Sequence, residues 1–568
     1  MRAALKRAGR FIPGGAPLYR AAKRFIIDTP PLKRLAMRIL KSRRTISYET
    51  WIAREAAAAS LRTVEINQHV EEMLLRPKFS IVVTEGPGIA KTMQSIRDQV
   101  YGDHEVRVFP AQEIYAADIT KRNFFADIEG EYVVFMAAGD VLSPHALYAF
   151  AAEINARPEA DIVYADEDTI DDTGRRSRPF FKPDWSPDYL ETFNYIGFAA
   201  CFRCGLIDAA VAFECFYDVV LRATEKAKSI RHLRRVLYHR PPAHRVSSRR
   251  DGGERDRRAL QGRLHRTMRS GTVLAGGNGG PCALDVEVPR GKLVSIVIPT
   301  AGRTRPINGK PLDLIVNCVS QIRNETCFDA TEIIVVDNGD LSDDQLRFLR
   351  DAGCRMRTYT DSHFNVAKKI NMGAEIAKGD ILLLLNDDIG VISSDWLRRM
   401  LQHFEKPHVG VVGAKLLYAD GTIQHAGVVH NRGNPEHVRR HFPRDDLGYH
   451  FSTCGARNFS AVTGACMMTR TDAFRQVGGF TEEFSISFND VDYCMKVRSL
   501  GLYVVYAPVE LFHYESQSRH AVLDMQELYL YRQRWARQTV VDPFYNENFL
   551  SMGPPTFEPE VSLPGIQF

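Results

Sequence analysis

Residues 381–391 read Ile-Leu-Leu-Leu-Leu-Asn-Asp-Asp-Ile-Gly-Val. Five apolar residues stop abruptly at Asn386-Asp387-Asp388, and Gly379-Asp380 precede them. That length and composition predict a strand, and an unbroken apolar run predicts one buried on both faces. In open α/β sheets ligands bind beyond the carboxyl ends of strands, where this triplet falls. Oxygen-bearing side chains there suit a hard cation that bridges phosphates. Taken alone, the triplet fits equally well a turn that caps the helix starting near Asp395.

Outward from this strand, the pattern repeats. Val294–Pro299 and Glu332–Asp337 read as strands, Leu312–Ile322 and Leu341–Ala352 as helices, Arg355–Tyr359 as a short strand and Asn365–Ala377 as a helix. The strand ends carry Thr300, Asp337 and the Asn386–Asp388 triplet, which converge on one crevice if the strands are parallel neighbours. Earlier in the chain Phe79–Val83, Glu105–Phe109, Tyr132–Met136 and Asp161–Tyr164 read as strands, with a helix at Ser143–Ala156. Phe79-Ser-Ile-Val-Val matches Val294-Ser-Ile-Val-Ile, and Tyr132–Asp140 matches the organising strand and its triplet. The repeat spans about 215 to 250 residues, which predicts two tandem α/β domains rather than a solenoid. Arg231–Arg240 and Arg255–Arg269 read as basic helices, and Gly276–Gly280 as a linker turn.

A chain of 568 residues is too long for one ordinary domain, and 45% hydrophobic with 25% charged residues is ordinary globular composition. Residues 1–45 hold thirteen Lys/Arg against the single acid Asp28, within a chain of net charge +5. Basic and apolar residues alternate there between prolines, which predicts a helical arm able to lie on an anionic membrane surface. No aromatic platform or reader motif accompanies the charge, so nucleic acid is not expected as a partner. No run reaches the 18 apolar residues of a membrane span, and no signal-peptide core is visible. Ten cysteines include one CxxC, Cys201 and Cys204, without a second pair at zinc spacing; reduced thiols and a cytoplasmic location are expected.

With these words in view the chain resembles the family 2 glycosyltransferases of the GT-A fold, in the tandem-domain form associated with bacterial O-antigen, rhamnan and other cell-surface polysaccharides. The second half carries VSIVIPT, EIIVVDNG, ILLLLNDD, VGAKLLYADGTIQHAGVV, SAVTGACMMTR, FNDVDYCMKVR and ELFHYES; the first carries SPHALYAF, IVYADEDTIDD and FKPDWSPDYL. The resemblance covers about residues 45–550. It implies an arm at 1–76, a degenerate GT-A-like domain at 77–240, a basic linker at 241–290, a catalytic domain at 291–550 and a tail at 551–568. Both domains would be nucleotide-diphospho-sugar transferase folds, Rossmann-like in their βα units.

The resemblance also implies roles. Pro299, Thr300, Asp337, Asn365, Asn386 and Asp387 would surround a UDP- or dTDP-sugar donor. Asp388 and His513 would hold Mg2+ or Mn2+, and Asp490 would be the general base facing a glycan or lipid-linked acceptor. Asn489 stands where the family often has Glu; Asp492 points elsewhere and reads as structural. Inverting transfer needs a base for the acceptor hydroxyl and a cation for the departing diphosphate. Asp490 lies in the first turn of a helix, whose dipole lowers a carboxylate pKa, so a base there requires compensating burial. In the first half Ala137-Ala138-Gly139 replaces the triplet, with only Asp140 beyond it, Phe216 replaces the base, and Asp166–Asp172 reads as a solvated acidic loop. That half is expected to scaffold or to bind acceptor. Two rivals stand beside this reading: a non-catalytic glycan or nucleotide-binding scaffold, and a nucleotidyltransferase, disfavoured because no phosphate loop follows Pro299-Thr300. Ala301–Arg305 is longer and more basic than the family pattern. The expected location is the cytoplasm, peripheral on the inner face of the plasma membrane.

Overall fold

The computed structural model describes residues 46–53, 63–110, 128–208, 213–242, 252–276, 281–288, 291–307, 309–514, 524–549 and 561–562. The basic arm at 1–45 and residues 277–280 of the glycine cluster lie outside the described residues. The chain divides into two units. In the first, residues 1–63 with 559–568, Ile46–Ser47 pairs in parallel with Val561–Ser562, and Tyr48 stacks on Trp51 with ring centroids 5.4 Å apart. The second unit, residues 64–558, contains both large sheets.

The C-terminal sheet runs in the order Arg355–Thr358, Thr331–Asp337, Val294–Pro299, Ile381–Leu385, Cys466–Arg470, Val409–Leu417, Tyr503–His513, Ile389–Val391. The first four strands are mutually parallel, and Cys466–Arg470 enters antiparallel beside Ile381–Leu385. Ile381–Leu385 is buried along its whole length, as its unbroken apolar run predicts. Leu383 and Leu385 pack with Ile296, Trp396 and Met400 on one face. Leu382 and Leu384 pack with Val297, Ile370 and Tyr493 on the other. Each such burial is worth about 1.5–3 kcal/mol, which fixes this strand in the middle of the sheet. The helix Val366–Glu375 lies close enough that a Cβ on Gly373 would collide with Val297.

The N-terminal sheet runs His104–Phe109, Phe79–Thr84, Tyr132–Met136, Ala200–Arg203, Ile162–Ile170, Ile230–Arg240, Val141–Leu142. Strand for strand this is the order and sense of the C-terminal sheet from Thr331–Asp337 onward. The two GT-A layers are therefore one α/β topology used twice.

Two local readings are corrected, and one unread stretch gains a structure. Residues 230–240 form a strand, not a basic helix, because Val236–His239 are covered in the sheet beside Ile162–Ile170 and long-range pairing overrides local preference. Asp166–Ile170 is strand rather than solvated loop, with Asp166 and Asp168 buried. The basic stretch after Thr300 enters a small hairpin, Thr304–Ile307 against Lys310–Asp313.

The halves meet through buried polar contacts. Lys406 Nζ pairs with Asp188 and lies 3.2 Å from Glu191. Asn458 Nδ2 donates to Asp188 Oδ2 at 2.7 Å, and Asn546 Nδ2 to Asp166 Oδ2 at 3.0 Å. Burial alone would raise the Glu191 carboxyl, but Lys406, Arg269 and Arg263 hold it below the usual carboxylate range. Between the sheets, the helix Gly252–Arg266 is tied to Glu225 through Arg263 and Arg266. Removing one partner of a buried pair strands the other's charge. Lys406→Ala should therefore cost about 3–5 kcal/mol, read as a lower denaturation midpoint of the full chain; a loss under about 1 kcal/mol would show that Arg269 suffices.

Candidate active site

The strand ends gather a connected polar group. Thr300 Oγ1 donates to Asp387 Oδ2 at 2.6 Å and accepts from Gly302 N at 3.0 Å. The Lys369 ammonium, buried in the helix Val366–Glu375, donates to the Thr300 carbonyl at 2.8 Å. Burial, and then the charge of Asp388, push the Asp387 carboxyl up to about 6, against the opposing pull of the Thr300 hydroxyl and Lys369. Asp337 closes the Thr331–Asp337 strand; its Oδ1 accepts from Gly339 N at 2.5 Å, and its carbonyl accepts from Tyr359 N at 2.9 Å. Pro299 ends its own strand opposite Val336.

Asp388 sits directly before the Ile389–Val391 strand, whose Ile389 lies opposite His513. That antiparallel pairing brings two residues 125 positions apart together: His513 Nε2 lies 3.1 Å from Asp388 Oδ1. Asn386 Nδ2 is 3.2 Å from the same nitrogen. His513 Nδ1 meets Gln424 Oε1 at 2.7 Å. An amide oxygen only accepts, so Nδ1 carries a proton; Nε2 offers a lone pair when the ring is neutral and faces Asp388 as a donor when the ring is protonated. Asp388 Oδ1 is buried without a hydrogen-bond partner. Burial would raise its pKa, yet the charge of a protonated His513 and a hydrogen bond from it hold it below the ordinary value. An unpaired carboxylate oxygen facing an imidazole lone pair fits a cation, with Gln424 orienting the histidine from behind. Among the described residues no group of three His, Cys, Asp or Glu could hold a metal alone. Two side chains leave room for phosphate oxygens, the usual company of Mg2+.

The candidate base is joined to this centre by three consecutive residues. Ala465 accepts from Asn386 N at 2.9 Å, while Gly464 N donates to Asp490 Oδ2 at 2.9 Å. Thr463, the third, lies with its N 3.4 Å from His425 Nε2. A Cβ on Gly464 would lie 3.2 Å from that of Asp490, so the glycine permits the close approach. Asp490 is half-buried in the first turn of the helix Asn489–Ser499. Burial raises its pKa, outweighing the N–H groups of Gly464 and Val491 that lower it. The compensation a base at a helix N-terminus needs is present.

Other positions are committed elsewhere. Asn365 caps its helix by accepting from Lys368 N at 3.0 Å and donates to Glu482 O at 2.8 Å, so both ends of its amide act on the scaffold. Asn489 donates to Phe484 O and Ile486 O. Asp492 is fully buried and accepts from Thr481, Arg534 and Trp535, a structural role. Lys369, Gln424 and the neutral pair His425–His437, 3.0 Å apart, were not singled out by the sequence; only the lysine left a signal, as a charge on a helix face shared with Val366, Ile370 and Gly373. A cavity of about 710 Å³ beside Tyr359, Lys368 and Arg475 contains none of the strand-end residues.

The first half keeps more than its sequence suggests. Asp140 directly precedes Val141, which lies opposite His239, as Asp388 precedes Ile389 opposite His513. The Asp and His positions persist, with Tyr238 OH donating to Asp140 Oδ2 at 2.6 Å and His239 Nδ1 meeting Asp168 Oδ1 at 2.6 Å. Tyr238 thus covers one oxygen of Asp140, while Asp168 stands behind His239 as Gln424 stands behind His513.

Residues 295–478 match the family model Glycosyl transferase family 2. That stretch of the C-terminal half is a family 2 glycosyltransferase region. Asp490 and His513 lie beyond the matched residues. The chain is 35% identical to an uncharacterized protein, y4gI, of Sinorhizobium fredii over 451 residues, 74% of this chain and 48% of that protein. It is 32% identical to the O-antigen biosynthesis protein RfbC of Myxococcus xanthus over 522 residues, 84% of this chain and 40% of that protein. The chain thus spans less than half the length of these curated relatives. Among solved structures, GalNAc-T7 with UDP, GalNAc and Mn2+ aligns at 11% identity and a TM-score of 0.36, over 46% of this chain and 50% of that one.

The Asp490 shift has a stability consequence. A carboxyl whose folded pKa is raised above its unfolded value of about 3.9 binds protons better when folded, so stability falls as pH rises through the folded pKa. Asp490→Asn removes that loss and keeps an acceptor for Gly464. Its melting temperature at pH 7–8 should equal or exceed the wild type's, the gap closing toward pH 4. A lower melting temperature throughout would contradict the assigned burial.

Proposed function

We propose that the C-terminal half transfers a sugar from a nucleoside-diphosphate donor, UDP- or dTDP-linked, to an acceptor hydroxyl with inversion. The observation that carries this is the Thr463–Ala465 segment, whose adjacent residues touch both Asp490 and Asn386. It links the Asp490 carboxylate to Asn386, whose side chain lies 3.2 Å from His513 Nε2.

Asp388 Oδ1 and His513 Nε2 would hold Mg2+ or Mn2+, which supplies charge neutralisation for the departing diphosphate. Thr300, Asp337 and Asp387 line the nucleotide side, and Lys369 fixes the Thr300 backbone from below. Asp490 takes the proton of the acceptor hydroxyl as its oxygen attacks the anomeric carbon opposite the diphosphate. The new C–O bond forms as the bond to the diphosphate breaks. A base of this kind is worth about 10²–10⁴-fold in rate.

The first half acts as scaffold or acceptor support and does not transfer sugar, because Tyr238 holds the Asp140 carboxylate and Phe216 stands where a base would. The O-antigen biosynthesis protein among the relatives supports a surface polysaccharide or its lipid-linked precursor as acceptor. Residues 1–45 would attach the protein to the inner face of the plasma membrane.

Nucleoside-diphosphate release from a panel of UDP- and dTDP-sugars with Mn2+, with and without lipid-linked glycan, tests this. Asp388→Ala and Asp490→Asn should each lower turnover at least about 10²-fold. Asp140→Asn, which still accepts from Tyr238, should leave turnover near wild type; its loss in a folded protein would make the first half a participant. Turnover should be lost on the acid side through a group titrating above the ordinary aspartate value of about 3.9. EDTA should abolish release and Mn2+ restore it; full activity in EDTA would remove the metal from the proposal.

A further inference from the structure

Beyond the strand ends, one buried carboxylate does work that the mechanism above does not use. Glu527 lies in the first turn of the helix Met525–Thr539, capped by Asp524, and is buried. A glutamate three residues past a helix cap commonly folds back onto its own cap. Glu527 instead leaves its helix. Its Oε1 accepts from Ser485 N at 2.7 Å, Ser485 Oγ at 2.8 Å and Ile486 N at 3.2 Å, and its Oε2 from Ser487 N at 2.6 Å. Three successive backbone N–H groups make a concavity that ordinarily takes an anion. Here the anion is the protein's own.

The loop so held leads directly into the candidate base. Phe488 follows in the left-handed region with φ of 61°, and the helix carrying Asp490 starts at Asn489. Phe488 also stacks on Tyr531, one turn beyond Glu527, with centroids 5.4 Å apart. The far side of the loop is held by Val366 N, which donates to Ser485 O at 3.0 Å, and by Asn365 on Glu482. Clamped from both sides, residues 485–488 set where the first turn begins, and Phe488 could not keep its unfavourable φ without such support.

We infer that Glu527 is a positioning residue for Asp490: its carboxylate fills the 485–487 amide concavity and so fixes the base against Gly464. This rests on Asp490 being the base. The carboxylate's acceptor sites are filled by the loop, so Glu527 does not itself touch substrate.

The test uses the full chain with the UDP- and dTDP-sugar panel, Mn2+ and lipid-linked glycan. Glu527→Gln keeps the shape but replaces one acceptor oxygen with a donor. It should lower kcat on the order of 10–100-fold, the scale of a misplaced catalytic group, with donor KM within about twofold of wild type. The acid limb of its pH profile should move, and amides 485–491 should exchange faster with solvent than in the wild type. Ser485→Ala, which removes one of the four donors, should move the same readouts in the same direction by less. Wild-type kcat and pH profile alongside faster exchange would overturn the positioning role, as would a joint fall of kcat, donor affinity and melting temperature in both variants. Asp490→Asn run in parallel separates the two readings: full turnover there removes the base itself, whereas its inactivity with an unaffected Glu527→Gln removes only the positioning role.

Discussion

Ile381–Leu385 pairs antiparallel with Cys466–Arg470, Leu385 lying opposite Cys466. The whole candidate site follows from that register. Leu385 and Cys466 are the last and first residues of their strands, so Asn386–Asp388 and Thr463–Ala465 leave the sheet side by side. One segment brings Asp388 beside His513 and the other reaches Asp490. A slip of one residue would turn Leu382 and Leu384 toward the opposite face and break both cores. Packing energy on two faces of one strand thus holds a polar arrangement that could not hold itself.

The same frame occurs in the N-terminal sheet, where the chemistry has gone a different way. Asp140 and His239 stand where Asp388 and His513 stand, but Asp140 accepts from Tyr238. Nearby, His232 bridges Asp166 and Asp184, and Lys182 pairs with Glu167. Burying carboxylates costs several kcal/mol each unless they are paired, and these are paired internally. The C-terminal site leaves Asp388 Oδ1 unpaired instead. A half-buried carboxylate of this kind is open to a ligand. The contrast within one chain separates scaffold from site more sharply than either half alone.

What could be read from the sequence depended on how local each signal was. The apolar run at 381–385 showed its two-sided burial because that burial acts on every residue of the strand. The repeat between 79–83 and 294–298 showed the duplicated topology for the same reason. By contrast, residues 230–240 alternate charge and hydrophobe without clear period, and only the neighbouring Ile162–Ile170 strand makes them extended. Asp166 and Asp168 look solvated until His232, His239 and Asn546 are brought to them from far along the chain. Lys369, Gln424 and Glu527 act on residues 69, 89 and about 40 positions away. No window of sequence carries such a relation. Asn365, which the resemblance places among the donor contacts, spends its side chain on the helix cap and on Glu482.

Asp490 shows how two opposing effects are balanced. A first-turn carboxylate gains from the helix dipole by typically 0.3–1 kcal/mol, which favours its ionised form and makes it a poor proton acceptor. The N–H groups of Gly464 and Val491 act the same way. Burial between the helix and the Thr463–Ala465 segment acts oppositely, and it prevails. Gly464 is what allows this, since a side chain there would press on Asp490 and open the contact to water. A base is most effective when its pKa lies near the working pH. A carboxylate held by amides yet raised by burial satisfies both demands: the amides fix its direction and the burial keeps it able to accept a proton.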